Sequence, residues 1–362
     1  MPEPTPLDPA RFHTTIDGQA VALYTLRNRH GMAAAITNYG ARIEQLLAPD
    51  RDGRLGDVVL GYDSIEQVLA GQASMGAFIG RFANRIAHGR FTLDGHTHQL
   101  ACNSGPHHLH GGARGSRFRV FTARPISASS VEMSLVFADG EEGFPGTLPL
   151  RVLYRLTDDN ALAIDYAAVA VDQATIANFT SHAFFNLSGA GGTSILDHVL
   201  TVHADRFLPV DATAIPTGRL ESVAGTPLDF RAPTPIGARI GQAHEQLQKA
   251  GGYDHTLVLD PGEPGALQHA ATLHHPASGR VMDVWSTEPG LQLYSGNHLQ
   301  GMAPRDIGKG GAVYGPRTGV CLEPQGFPDA PNHPHFPSAV LRPGQWRCGQ
   351  IVYRFSSAPR RH

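Results

Sequence analysis

In the stretch Val131–Phe137, which reads VEMSLVF, the apolar Val131, Met133, Leu135 and Phe137 alternate with Glu132 and Ser134. A period of two puts one set of side chains on one face of an extended chain, so this segment reads as a half-buried β-strand. The pattern returns at Leu162, Ile164 and Tyr166, beside Ala163 and Asp165. Further candidate strands are 21–27, 42–48, 118–124, 150–156, 199–203, 280–285, 291–295 and 319–323. Turn chemistry separates them at Asp52-Gly53, Asp94-Gly95, Asp139-Gly140, Ser278-Gly279 and Pro343-Gly344. Helical signals are few. Residues 64–70 (SIEQVLA) predict two turns behind a Ser64 cap, and residues 243–250 a short exposed helix. The chain therefore reads as all-β, a large and mostly antiparallel sandwich or barrel with few short helices.

Length alone, 362 residues, suggests two domains, but all-β chains often run on as one. No linker or charge run divides this one. Residues 1–362 are therefore expected to form one domain, with residues 1–10 a flexible N-terminal tail. Gly (41) and Pro (27) are in excess over common usage, as frequent turns require. The net charge of −3 excludes the basic footprint of a nucleic-acid binder. No apolar run is long enough for a membrane helix. Three scattered cysteines, Cys102, Cys321 and Cys348, and no signal-peptide pattern lead to the expectation of a cytoplasmic location.

Several familiar sites fail. Gly189-Ala190-Gly191-Gly192 follows no strand-to-helix unit, and neither a GxSxG elbow nor HExxH is present. Five segments survive. In Pro106–Gly112, PHHLHGG, a strand would put His108 and His110 on one face as metal ligands. The same letters also fit a polar loop, or His110 alone donating to a ligand. His182, in Thr180–Gly189 (TSHAFFNLSG), is either a satisfied core imidazole or one tuned by apolar rings. Glu323, in Gly319–Gly326 (GVCLEPQG), is either an edge-strand carboxylate facing water or a desolvated one raised toward proton-transfer range. Asn84-Arg85 suits vicinal hydroxyls or a structural salt bridge, and Asp254 a sugar contact or a turn.

In this order, GRFANRIAHG, NSGPHHLHGG, DGEEGFPGTL, SHAFFNL, LPVDATAIPTG, GYDH, PGLQLYSGN and CLEPQGFPDAPN make the chain resemble the aldose 1-epimerase (galactose mutarotase) family. The resemblance implies a single large antiparallel β-supersandwich, no cofactor and no metal. It implies that Glu323 is the general base and His182 the general acid, with His110 a second histidine donating near the anomeric carbon. Asn84, Arg85, Asp254 and Gln292 would bind sugar hydroxyls. The implied reaction interconverts α and β anomers of free hexoses such as galactose and glucose by ring opening and closure. It would start from protonated His182 and ionised Glu323 and give a bell-shaped pH dependence. The implied partner is a small aldose, with neither nucleic acid nor membrane, on a monomer or homodimer. Two positions depart from the family's habit: Ser181 stands where Asn is common and Phe184 where Tyr is common. Rival readings are a hexose-6-phosphate 1-epimerase drawing on Arg81, Arg85 and Arg114, a non-catalytic sugar-binding protein, and a cupin-like metalloprotein.

Overall fold

The computed structural model describes residues 5–359 other than 72, 192, 261 and 264. Among these residues the largest sheet has nine strands. In spatial order they are Thr122–Ser127, Ser130–Phe137, Leu148–Leu156, Ala161–Val169, Trp346–Ser357, Arg280–Ser286, Gln268–His274, Val199–Val202 and Thr234–Pro235. Every pairing in it is antiparallel. The twelve-residue strand Trp346–Ser357 lies at its centre, pairing Ala161 with Arg354 on one side and Arg280 with Ser357 on the other. The alternation at Val131–Phe137 does what its period requires: Val131, Met133, Leu135 and Phe137 are buried.

Two smaller sheets share that core. One has four strands, Leu23–Arg27, Ala33–Thr37, Arg42–Pro49 and Leu55–Asp57. The other has five, in the order Glu221–Ser222, Arg206–Phe207, Asp254–Val258, Gly290–Tyr294 and Cys321–Gln325. Ile36, Ile43 and Leu46 from the first, and Leu257, Leu291, Leu293 and Leu322 from the second, join one apolar cluster with the inner face of the nine-stranded sheet. Buried hydroxyls tie the sheets together: Tyr154 donates to the Ala41 carbonyl at 2.7 Å, and Tyr353 to the Leu322 carbonyl at 3.2 Å. The fold is an all-β supersandwich.

The two α-helices among the described residues are short. Ile65–Ala70 is capped by Ser64, which accepts from the Gln67 amide, as its sequence predicts. Glu245–Ala250 is less exposed than predicted, because Gln246, Leu247 and Ala250 are buried. No helix among the described residues is long and apolar enough to cross a membrane. The strand predicted from 118 begins at Thr122, because Ser116–Phe118 forms a 3-10 turn instead. The predicted N-terminal tail is tied down from residue 5. Gln45 accepts from the Leu7 amide at 3.2 Å and donates to the Thr5 carbonyl at 3.0 Å, and Pro9–Phe12 forms a 3-10 turn with Phe12 buried. The remainder of that tail, residues 1–4, lies outside the described residues.

Candidate functional site

Side-chain alternation builds the site on the five-stranded sheet. Its registers set Asp254 opposite Tyr294 and Tyr294 opposite Cys321; two residues on, Thr256 faces Gln292 and Gln292 faces Glu323. These six side chains share one face, while Leu257, Leu291, Leu293 and Leu322 point into the core. Cys321–Gln325 is the edge strand, which tolerates Pro324. The edge does not face water: Glu323 is 2% exposed.

His182 arrives from another element. Thr180–Ser181 pairs with Phe78–Ile79, and the His182 amide continues the ladder by donating to the Ala77 carbonyl at 2.8 Å. Its ring stacks on Phe184 with centroids 5.2 Å apart and meets Tyr294 edge-on at 6.3 Å. Phe184, one of the departures from the family's habit, thus forms an apolar wall behind the imidazole. The ring's Nε2 lies 3.8 Å from Glu323 Oε1, and its Nδ1 lies 3.5 Å from the Cys321 thiol.

His110 and Asn84 hold each other. The Asn84 amide donates to His110 Nδ1 at 3.1 Å, and the His110 amide donates to the Asn84 carbonyl at 3.0 Å. Since Nδ1 accepts, the neutral ring carries its proton on Nε2. Both residues have positive φ, 63° and 52°. His110 therefore leaves the strand His108–Leu109 and does not share a face with His108. Gly111, at φ 78°, packs so tightly on Gly80 that an added Cβ would meet the Gly80 carbonyl at 2.1 Å. Only glycine fits there. The His108 ring instead bonds the Ala101 carbonyl at 2.7 Å, and His107 Nδ1 accepts from the His88 amide at 3.0 Å. The three histidines of PHHLHGG go to three different places, so they form no common metal site.

On the opposite wall Gln292 Nε2 donates to Asp254 Oδ1 at 2.6 Å, and the Thr256 hydroxyl donates to Gln292 Oε1 at 2.6 Å. Arg85 Nη2 lies 4.0 Å from Asp254 Oδ2. Gln292, Asp254 and Arg85, together with Glu323, His182, His110 and Asn84, line a cavity of about 270 Å³. All seven residues singled out in the sequence line it. Sequence reasoning missed Thr256, Tyr294 and Cys321, which two-residue periodicity from Asp254, Gln292 and Glu323 would have found. It also missed Arg117, Arg305 and Asp306 on the cavity wall. Of the arginines considered for a phosphate, only Arg85 lines the cavity. Arg81 is buried elsewhere, donating to the carbonyls of Phe137, Pro145 and Gly146.

Burial shapes the titration of the pair. It pushes Glu323 well above the usual carboxylate range, Asp254 adding to the rise and Arg85 opposing it. It pushes His182 down to about 4, and holds His110 well below the usual imidazole value. Both shifts act the same way, favouring the neutral carboxyl over the carboxylate and the neutral imidazole over the imidazolium. Burial thus works against the protonated His182 and ionised Glu323 expected from the sequence. Glu323 Oε2 is buried without a hydrogen-bond partner, a polar atom left for a ligand.

Two groups bring ligand atoms within 4.8 Å of one another: His182, Cys321 and Glu323, and Asp197, His198 and His275. In the first, the two nitrogens of His182 face different partners, an arrangement suited to a proton relay. In the second the lone pairs are already engaged. His198 Nε2 accepts from the Leu187 amide at 2.9 Å and His275 Nδ1 from the Ser278 amide at 3.2 Å, so both rings turn their N–H to Asp197.

Comparison with known proteins agrees with this geometry. Residues 22–354 match the family model described as aldose 1-epimerase. The chain is 45% identical to the galactose mutarotase of Bos taurus over 323 residues, covering 89% of this chain and 91% of that one. It is 39% identical to the aldose 1-epimerase of Escherichia coli (strain K12) over 341 residues, covering 94% and 96%. An aldose epimerase homologue from C. elegans superposes with a TM-score of 0.86 at 32% identity, covering 94% of this chain and all of that one. Galactose 1-epimerase from Lactobacillus acidophilus NCFM gives 0.83 at 30% identity, covering 96% and 98%. The chain belongs to the aldose 1-epimerase family.

Proposed function

We infer that the protein is an aldose 1-epimerase acting on free hexoses such as galactose and glucose, with Glu323 and His182 moving the protons. The observation that carries this reading is the buried carboxyl–imidazole pair, 3.8 Å apart, beside a wall of groups suited to sugar hydroxyls. Ring opening needs the proton of the C1 hydroxyl removed and the ring oxygen O5 protonated. Glu323, with its unpartnered Oε2, takes the O1 proton. His182 delivers one to O5, and His110 Nε2–H donates beside it. The C1–O5 bond breaks and C1 becomes an aldehyde carbon. Rotation about C1–C2 presents its other face, and closure reverses the two transfers.

The pair carries one proton throughout. Opening starts with that proton on His182 and ends with it on Glu323; closing starts from the second placement. Burial favours the second placement, because it raises Glu323 and lowers His182. Asp254, Gln292, Arg85 and Asn84 anchor the hydroxyls that do not react, which holds C1 near Glu323 while the chain is open. The free cysteines, Cys102, Cys321 and Cys348, support a reducing, cytoplasmic setting. The same reading takes the chain as one domain that works as a monomer or homodimer.

Polarimetry on freshly dissolved α-D-galactose tests the proposal. Saturable acceleration over the spontaneous rate is expected, and a rate equal to the spontaneous one would refute it.

A further inference from the structure

Among the described residues the cavity contains one cation without a counter-charge. Arg85 faces Asp254, and Arg305 grips Asp306 through Nε at 3.0 Å and Nη2 at 2.8 Å. Arg117 differs. Nη1 donates to Ser74 Oγ at 2.5 Å, the guanidinium stands 4.5 Å over the Phe118 ring, and Nε is buried with no partner. The one charged neighbour acting on it is another cation, Arg42. Arg42 is itself 2% exposed and donates to the Arg117 carbonyl at 2.8 Å. Burial lowers Arg117 to about 10, so it stays charged at neutral pH. Arg117 is half-buried, with its Nε out of water, and a charge partly desolvated without a counter-charge is costly to the fold unless a ligand compensates it.

Its place relative to the sugar follows from connectivity. In a pyranose O5 joins C1 to C5, and C6 hangs from C5. Glu323 shares its sheet face with Gln292, Thr256 and Asp254, so O1 and the hydroxyls that follow it run along that sheet. C5 and its substituent then lie across O5, on the side of His182 and His110. Arg117 stands on that side. Its turn, Ser116–Phe118, follows His110 by six residues and is bonded to the Phe78 and Gly80 carbonyls beside the strand that precedes His182.

We propose that this site turns over aldoses bearing an anionic group at C6, with Arg117 and Ser74 receiving the charge and a hexuronate carboxylate as the matching group. The proposal rests on the mutarotase reading and names a substrate class within it. A carboxylate is favoured over a phosphate by charge. One guanidinium lacks a counter-charge, so it matches a monoanion and would leave one charge of a dianion unmatched, Arg305 being held by Asp306.

The test measures kcat/KM at pH 7 on α-D-galacturonate, α-D-galactose and α-D-galactose 6-phosphate, for the wild-type chain and for Arg117→Gln and Arg117→Lys. Galacturonate should be turned over at least as efficiently as galactose and better than the 6-phosphate. Arg117→Gln should lower the galacturonate-to-galactose ratio about tenfold or more, through KM, and Arg117→Lys should restore part of it. Added KCl on the wild-type protein should raise KM for galacturonate and leave that for galactose in place, a readout independent of whether the variants fold. An unchanged ratio in Arg117→Gln, or a salt-independent KM, overturns the proposal, and preference for the 6-phosphate overturns the carboxylate. Activity on galactose with none on galacturonate overturns this inference alone. Activity on neither overturns the mutarotase reading and this inference with it.

Discussion

Replacing Glu323 by Gln keeps the shape of the side chain and removes its charge, so it isolates what the carboxylate does. When both are charged, Glu323 and His182 at 3.8 Å attract by about 4 kcal/mol at an effective dielectric of about 20. That attraction supports the imidazolium needed to protonate O5. Glu323→Gln therefore removes the base and weakens the acid together. Loss of a positioned base alone costs about 10²–10⁴-fold, so kcat on α-D-galactose should fall at least about a hundredfold by polarimetry. The bell-shaped pH profile should collapse to a single limb rising toward acid, since only His182 still titrates. Stability should move the other way. The folded-state pKa of Glu323 is raised, so the wild-type chain is most stable with the carboxyl protonated and loses stability as pH rises through that value. Gln does not titrate. The variant's Tm should exceed that of the wild type above that pH and converge on it near pH 4. A rate within tenfold of wild type, a retained bell, or a lower Tm at pH 8 would refute the reasoning.

The wild-type kcat/KM profile should fall on its acidic side near pH 4, far below an ordinary imidazole, because His182 is pushed down to about 4; a limb near 6.5 would exclude that environment. Gln292→Leu strips Asp254 of its 2.6 Å donor, and KM for galactose should rise about tenfold with a smaller change in kcat; the reverse split would place Gln292 in the proton chemistry. Buried His108, His198 and His255 are each lowered to about 4, so the fold should be fully supported above pH 6.5 and lose up to about 3 kcal/mol per histidine as pH falls toward 4. Glu44, raised to about 7, offsets part of that loss, and a Tm constant from pH 7 to 4.5 would contradict the balance. Thiol titration should count two reactive cysteines in the native protein, Cys102 and Cys348, and a third after unfolding, because Cys321 is buried and its thiol is pushed up. Three in the native state would show that the floor of the cavity opens.

Local pattern was legible wherever the physics is local. The alternation at Val131–Phe137, the Ser64 cap and the Gly-bearing turns each rest on a few neighbouring residues, and each formed. Asp254 and Glu323 could be singled out one at a time, and Gln292 only through the family resemblance. That they stand on neighbouring strands depends on registers spanning residues 254 to 325, which no local window contains. The histidines were the hardest to read. His108 and His110 separate because His110 takes a positive φ beside Asn84. His198 and His255 are buried. Their burial is made possible by partners from the chain around them, the Leu187 amide for one and the Asp254 amide for the other. Arg81 is missing from the cavity where it was expected, and Arg117 stands there unforeseen, for the same reason. The carbonyls that swallow Arg81 belong to residues 137–146, and the strands that aim Arg117 at the cavity are brought together only in the finished sheet.

The central position of Trp346–Ser357 bears on how the chain comes off the ribosome. Ala161–Val169 and Arg280–Ser286 each present a full row of unpaired amides and carbonyls until that strand arrives between them. Both, at nine and seven residues, are long enough to pair with a neighbouring chain instead. A nascent chain paused before residue 346 would therefore expose two open edges at once, and shielding them until the keystone strand emerges is work for a chaperone.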